Sequence, residues 1–367
     1  MTKKVRMIGF AVLAALWIAL ILGAWFGPVQ DISGSERRKL AQMPEVSLDS
    51  VLGGKFMTEF ETFTLDQFPL RDTFRKLKAL VHYHVLQQGD NNGIYVEQGY
   101  AAKLEYPLNE TSVDSALEKF NRIFETYLKD TQCKVFASVV PDKGLYLAEV
   151  NGYPAMNYRK LFDKVAAGMD WASYVDISDL LETEDYYRTD THWRQEKLTE
   201  VAGRLCEAMG TGSFAAEELT AVAVERPFYG VYYGQAALPM EPETIFYLEN
   251  ALLSGCTVYN YETGKTTDIY DLEKLQSRDL YDVFLSGAAA LLQITNPAAT
   301  TDRELVVFRD SFGSSLIPLL VKDYAAVTVV DTRYIAADLL GQYLSFDDQD
   351  VLFLYSTLIL NSSGALK

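Results

Sequence analysis

The sequence predicts an α/β fold, a mostly parallel sheet with helices on both faces, carried behind one N-terminal membrane-crossing helix. Three observations predict it. Short strand-like segments recur: CKVFASVVP (133–141), YVDI (174–177), ELVVF (304–308), AVTVV (326–330) and DVLFLY (350–355). Most are apolar throughout, as strands buried on both faces are. Helical stretches with apolar residues three and four apart lie between them, the alternation that builds a parallel sheet. The N-terminus holds a single unbroken apolar run.

That run is MIGFAVLAALWIALILGAWFG (7–27). About 20 apolar residues at about 1.5 Å each cover the roughly 30 Å of a bilayer core. Lys3, Lys4 and Arg6 precede it and Trp25 lies near its far end, which keeps the N-terminus in the cytoplasm and the rest of the chain outside. Arg37, Arg38 and Lys39 follow and pull the other way. A cleaved signal peptide is the alternative. The run is longer than a typical signal core and no small-x-small cleavage site follows it, so an uncleaved single-pass anchor is the expectation. No Cys lies near the run, which excludes a lipid-modified anchor.

The chain then divides into three parts. Residues 1–28 are cytoplasmic tail and anchor. Residues 29–88 are a polar linker followed by a helical juxtamembrane region, which Pro69 interrupts. The turn GDNNG (89–93) opens the main domain, residues 89–367. In it, Val113, Leu117, Phe120, Phe124 and Tyr127 share one helical face, with Thr111 and Asp114 as a capping-box pattern. Tyr158 to Met169 reads as a second helix, and Leu198, Val201, Leu205 and Met209 mark a third. Residues 211–303 break the alternation. They are rich in Gly, Tyr and Thr, include TIFYL (244–248) and CTVYNY (256–261), and read as a β-rich insertion.

Composition sets outer bounds. Hydrophobic residues make up 49% of the chain and charged ones 23%, as in a globular protein. The net charge of −17 argues against a nucleic-acid partner, since phosphate binding needs a basic surface. Three cysteines, Cys133, Cys206 and Cys256, are widely spaced and form no zinc-type pair; no disulfide is the simpler reading. No metal site and no cofactor fingerprint of the G-x-G-x-x-G kind after a strand is visible.

The chemistry centres on Ser311. It follows the strand ELVVF across Arg309 and Asp310 and opens SFGSSLIPLLV, which reads as a helix. That location faces the crevice where α/β proteins bind ligands. Helix N–H groups there can support an oxyanion. A serine that only caps the helix is the bland alternative, and Asp310 is either that cap or a turn holder. A serine nucleophile needs a base. Of three histidines, His82 and His84 lie in the juxtamembrane helix, and two of them do not complete a metal site. His192 remains, in YYRTDTHWRQE (186–196). Asp190, two residues earlier, is placed to orient the imidazole. Trp193 is placed to pack beside the ring. The alternative is that Asp190 or Thr191 caps the next helix.

DTHW (190–193) together with RDSFGSS (309–315) resembles the DHHW family of bacterial surface proteins, which is similar to the alginate O-acetyltransferases of the SGNH-hydrolase-like superfamily. DQFPLRD (66–72), VVPDKGLY (139–146), FYGVYYG (228–234), RDLYDVFLSG (278–287), VVDTRY (329–334) and VLFLYS (351–356) extend the resemblance in order. It implies a three-layer α/β/α SGNH-like fold in which Asp190 orients, His192 is the base and Ser311 forms an acyl-enzyme. Lys143, Arg333, Asp310 and Trp193 are lesser candidates for substrate or oxyanion contacts, with surface ion pairs as the alternative for Lys143 and Arg333. Two positions depart from the family pattern. Thr191 stands where His is common, and Ala288, in SGAAALLQI (286–294), stands where an Asn often follows the Gly. Loss of one oxyanion donor costs about 10²–10³ in rate.

The resemblance implies an O-acyltransferase or acetylesterase at the cell surface, with a polysaccharide acceptor and a membrane-bound acyl exporter as partner. A catalytically inactive glycan-binding or scaffolding protein of the same fold is the alternative. The Ala288 departure favours it; the Ser311, His192 and Asp190 set favours the enzyme.

Overall fold

The computed structural model describes residues 3–367; Met1 and Thr2 of the expected cytoplasmic tail lie outside the described residues. The chain forms two compact units. One comprises residues up to Asn92 together with Tyr233–Pro239, and the other Gly93–Tyr232 with Met240–Lys367.

The first unit begins with the helix Lys3–Phe26, long and apolar enough to cross a membrane, with none of that stretch buried in the protein. Three further helices follow, Leu48–Leu52, Lys55–Asp66 and Arg71–Leu80, the last continuing as a π-helical turn Val81–Val85 that contains His82 and His84. The break at 67–70 contains Pro69, as its lost N–H requires. Buried Asp66 ties the linker to the helices: it accepts from Arg38 at 2.8 and 2.6 Å and from the Ala41 amide at 2.9 Å.

The second unit is built on an eight-stranded sheet. In chain order its strands are β1 (Lys134–Val140), β2 (Ser173–Tyr174), β3 (Thr257–Asn260), β4 (Lys265–Asp268), β5 (Leu291–Thr295), β6 (Glu304–Arg309), β7 (Ala326–Val330) and β8 (Asp350–Ser356). Their order across the sheet is β2-β1-β8-β6-β7-β5-β3-β4. The first five are parallel, and β5, β3 and β4 extend them antiparallel. The mostly parallel sheet is the one expected. Part of the β-rich segment 211–303 therefore lies in the main sheet, while Thr220–Ala223 and Phe246–Glu249 pair separately.

Alternation of side chains divides the core into two layers. Leu305 and Val307 of β6 face one apolar cluster with Leu352, Leu354, Val327 and Val329. Val306 and Phe308 face the other, with Val351, Phe353 and Tyr355. Helix Thr199–Met209 covers the first layer through Val201, Leu205, Cys206 and Met209. Helices Glu110–Ile123 and Tyr158–Gly168 cover the second through Val113, Leu117, Phe120, Leu161 and Val165. Both faces of the sheet are thus covered, which is why its central strands read as unbroken apolar runs. All three cysteines are free; burial pushes Cys206 and Cys256 up to about 11, so both stay thiols.

Parallel pairing also aligns the strand ends. Val140 lies opposite Ser356 and Arg309 opposite Leu354, so the segments after β1, β8, β6 and β7 emerge along one edge. Lys143, Ser311 and Arg333 belong to those segments, at the carboxyl ends where open α/β sheets bind ligands.

Candidate active site

Ser311 is two residues past the end of the central strand β6. Its Oγ is 2.9 Å from His192 Nε2, although 119 residues separate them in sequence. His192 Nδ1 is 2.6 Å from Asp190 Oδ1, which also accepts the His192 amide at 3.1 Å. The other carboxylate oxygen of Asp190 accepts the Val231 amide at 2.8 Å. Asp190 is almost fully buried and His192 is 8% exposed, while Ser311 is partly exposed. Hydroxyl, imidazole and carboxylate form one hydrogen-bonded chain, with distances suited to a proton moving from oxygen to nitrogen while the carboxylate fixes the tautomer.

DTHW lies in an irregular loop rather than at a helix start. The α-helix begins only at Thr199, after a 3₁₀ turn at Gln195–Lys197, so neither Asp190 nor Thr191 caps it. The loop is held from several sides. Lys143, 1% exposed, donates to the carbonyls of Tyr187 at 2.5 Å and Asp190 at 2.6 Å. Glu243 accepts the Arg188 and Thr189 amides at 2.7 Å each and the Thr189 hydroxyl at 2.9 Å. Thr191 Oγ1 is 3.0 Å from the Tyr232 hydroxyl. The Gly230 amide donates to Thr189 Oγ1 at 2.9 Å.

Gly230 makes the closest approach. A Cβ there would lie 2.3 Å from Asp190 Cα and Cβ. Gly230→Ala is therefore expected to push Asp190 off its imidazole while the sheet stays intact. A displacement of about 1 Å costs about 10² in rate. Ester turnover alongside unchanged far-ultraviolet circular dichroism checks it.

The ring stacked on His192 belongs to Tyr281, at 3.9 Å and 6°; Trp193 instead packs edge-on against Phe312. Trp193 Nε1 donates to the Phe312 carbonyl and to Ser315 Oγ, both at 3.0 Å, and Ser315 Oγ lies 2.8 Å from the Tyr281 hydroxyl. Trp193 thus links the histidine loop to the serine segment, and Ser315 ties Tyr281 to both. Gln195 repeats the link by donating to the Ser315 carbonyl at 2.7 Å.

The helix after Ser311 is short, an α-turn at Gly313–Leu316 followed by a 3₁₀ turn. Its first amides are engaged internally: Phe312 donates to Asp310 Oδ1 at 3.0 Å, Gly313 to the Asp310 carbonyl at 3.1 Å and Ser314 to the Ser311 carbonyl at 3.2 Å. The expected supply of free helix N–H groups for an oxyanion is correspondingly reduced. Asp310 holds the turn, its second oxygen accepting the Ser356 amide at 2.8 Å. Arg333 is paired with buried Asp331 at 2.9 and 2.6 Å, and buried Arg309 lies 3.5 Å from the same carboxylate. Neither Lys143 nor Asp310 presents a free polar group to a substrate in this arrangement; both brace the backbone on which Asp190 and Ser311 sit.

Burial pulls the Lys143 ammonium down to about 8. Between about pH 8 and its ordinary 10.5, the unfolded chain binds the extra proton, so this lysine makes stability rise with pH across that window. Lys143→Met is expected to abolish that rise and to leave two buried carbonyls unpaired, at about 1–3 kcal/mol each. Denaturant titrations of both proteins at pH 7.5 and 10 check both effects.

Tyr281, Gly230, Glu243 and Ser315 complete the site beyond the residues singled out from sequence. Three of them sit in the motifs quoted above, Gly230 in FYGVYYG, Tyr281 in RDLYDVFLSG and Ser315 in RDSFGSS, which are the available signal; Glu243 lies in none.

Residues 161–330 match the family described as DHHW protein. A DHHW family protein from Eubacterium siraeum DSM 15702 aligns with a TM-score of 0.61 at 21% identity, over 75% of this chain and 94% of that one. Bacillus cereus PatB1, solved with a sulfonyl adduct, aligns with a TM-score of 0.58 at 15% identity, over 73% and 95%. The O-acetyltransferase domain of Pseudomonas putida AlgJ aligns at 12% identity over 73% and 92%, with a TM-score of 0.46. No curated protein matches the sequence. The first two share the fold described above, and Asp190, His192 and Ser311 all lie within residues 161–330, the segment that matches the DHHW protein family.

Proposed function

We propose that this chain is an O-acyltransferase or acetylesterase, anchored by the helix Lys3–Phe26 with its larger unit outside the cell, acting on cell-surface or exported polysaccharide. The observation that carries the reading is the hydrogen-bonded chain from Ser311 Oγ through His192 to Asp190. Ser311 Oγ attacks the acyl carbonyl as its proton passes to His192 Nε2. Asp190 stabilises the imidazolium, which then protonates the departing group. The resulting ester on Ser311 is attacked by a sugar hydroxyl or by water, whose proton His192 takes; the acyl bond to Ser311 breaks and the proton returns to Oγ. A membrane-bound acyl exporter would supply the donor, since acetyl-CoA is cytoplasmic.

The second reading is an inactive glycan-binding or scaffolding protein. It is favoured by Ala288 and by the engaged amides of Phe312, Gly313 and Ser314. The test uses the full chain in vesicles with a chromogenic acetyl ester, and in parallel an arylsulfonyl fluoride followed by peptide mass spectrometry. PatB1 guides the choice of probe, since its structure holds a sulfonyl adduct. The enzyme reading expects ester release and a sulfonyl mass on the Ser311 peptide, both lost in Ser311→Ala and His192→Ala. Equal background release and no adduct in all three proteins would sink it and favour the binding protein.

A further inference from the structure

The helix Arg71–Leu80 is folded with its polarity inverted. Arg71 and Arg75 are turned into the first unit, where they pair with Glu36 at 2.5 and 3.3 Å, and Arg75 donates to the Gly234 carbonyl at 2.9 Å. Ala79, on the same side, is fully buried. The opposite side carries Phe74 and Leu77, three apart on one stripe, and the apolar run is extended by Leu70 in the left-handed turn before the helix and by Val81 in the π-helical turn after it. In chain order these four are 68%, 43%, 56% and 38% exposed. A globular unit normally buries such a stripe and shows its arginines to water.

What lies next to this stripe says what covers it. Gly23, in the last turn of the apolar helix, is packed against Pro69: a Cβ on Gly23 would come within 3.0 Å of Pro69 Cγ. The turn that starts the inverted helix therefore sits beside the outer end of the proposed anchor. Of the four basic residues of the helix, Arg71 and Arg75 are engaged with Glu36, which leaves Lys76 and Lys78 exposed beside one acid, Asp72, in a chain whose net charge is −17. Apolar stripe, basic flanks and adjacency to the anchor are the features of a helix lying in the headgroup layer.

We propose that the stripe Leu70–Phe74–Leu77–Val81 rests in the outer leaflet of the membrane that the anchor crosses. This rests on the anchor reading given above, and the test separates the two. Single cysteines replace Leu77, Asp72 and Leu16 in full-length protein whose partly exposed Cys133 is replaced by Ser. Each is spin-labelled in phosphatidylethanolamine–phosphatidylglycerol vesicles, and collision with oxygen is compared with collision with a water-soluble nickel chelate. The expected result is a several-fold preference for oxygen at Leu77 and Leu16 and for nickel at Asp72. Oxygen preference at Leu16 with nickel preference at Leu77 overturns the surface while leaving the anchor. A Leu77 label shielded from both reagents means a protein covers the stripe and also overturns it. Nickel preference at Leu16 removes the anchor and the surface with it.

Discussion

Replacing Ser311 with alanine is expected to lower acyl-ester turnover by about 10⁴–10⁶-fold, the scale on which serine nucleophiles are lost. His192 Nε2 has its hydrogen bond to Ser311 Oγ, and the neighbouring hydroxyl of Ser315 is buried and engaged with Trp193 and Tyr281. Neither Ser314 nor Ser315, both buried, can stand in for Ser311. The cost to the fold is small, because one hydrogen bond to a partly exposed hydroxyl contributes about 0.5–1.5 kcal/mol. Initial rates with the acetyl ester, compared at equal thermal midpoints, isolate the chemical loss. A variant that retained a tenth of the wild-type rate would exclude Ser311 as the nucleophile.

Asp190→Asn is expected to lower turnover by about 10⁴-fold through the tautomer of His192. The native carboxylate accepts on both oxygens, from His192 on one and from the Val231 amide on the other. An asparagine has one acceptor oxygen and one donor group. If its oxygen faces Val231, its NH₂ forces Nδ1 to accept, and the proton moves to Nε2, where it blocks transfer from Ser311. If its oxygen faces Nδ1, the NH₂ meets the Val231 amide donor to donor in a buried place. Rates, together with an ¹⁵N spectrum of the imidazole, distinguish a tautomer change from a simple loss of fold.

The sheet was legible because its central strands are buried on both faces. ELVVF and DVLFLY have few other uses for so many consecutive apolar residues, and the observed strands extend them by one residue each, to Arg309 and Ser356. YVDI was legible only in part, since just Ser173–Tyr174 pair with β1 at that edge of the sheet. At the site, the residue types that do chemistry were few enough to find: one of only three histidines, an acid two residues before it, and a serine after a strand. Their supports were not. Tyr281 stacks on an imidazole 89 positions away in sequence, and Gly230 is required by contact with a residue 40 positions earlier. Such pairings are set by tertiary packing and leave no local periodicity. Trp193 was expected beside the imidazole because it is adjacent in sequence, yet in the irregular loop successive side chains diverge and its indole turns to the serine segment instead.

The buried lysine has a chemical consequence for a protein proposed to handle activated acyl groups. An exposed amine near an acyl ester is a competing acceptor, and an amide formed on it would not be cleaved by the serine that made it. Lys143 keeps its nitrogen sealed under the Tyr187 and Asp190 carbonyls. Its amine becomes a nucleophile only when that loop lifts, so the rate at which an amine-reactive reagent marks Lys143 reports local opening of the 187–190 loop. The residue that braces the loop is therefore also a clock for how often the brace lets go.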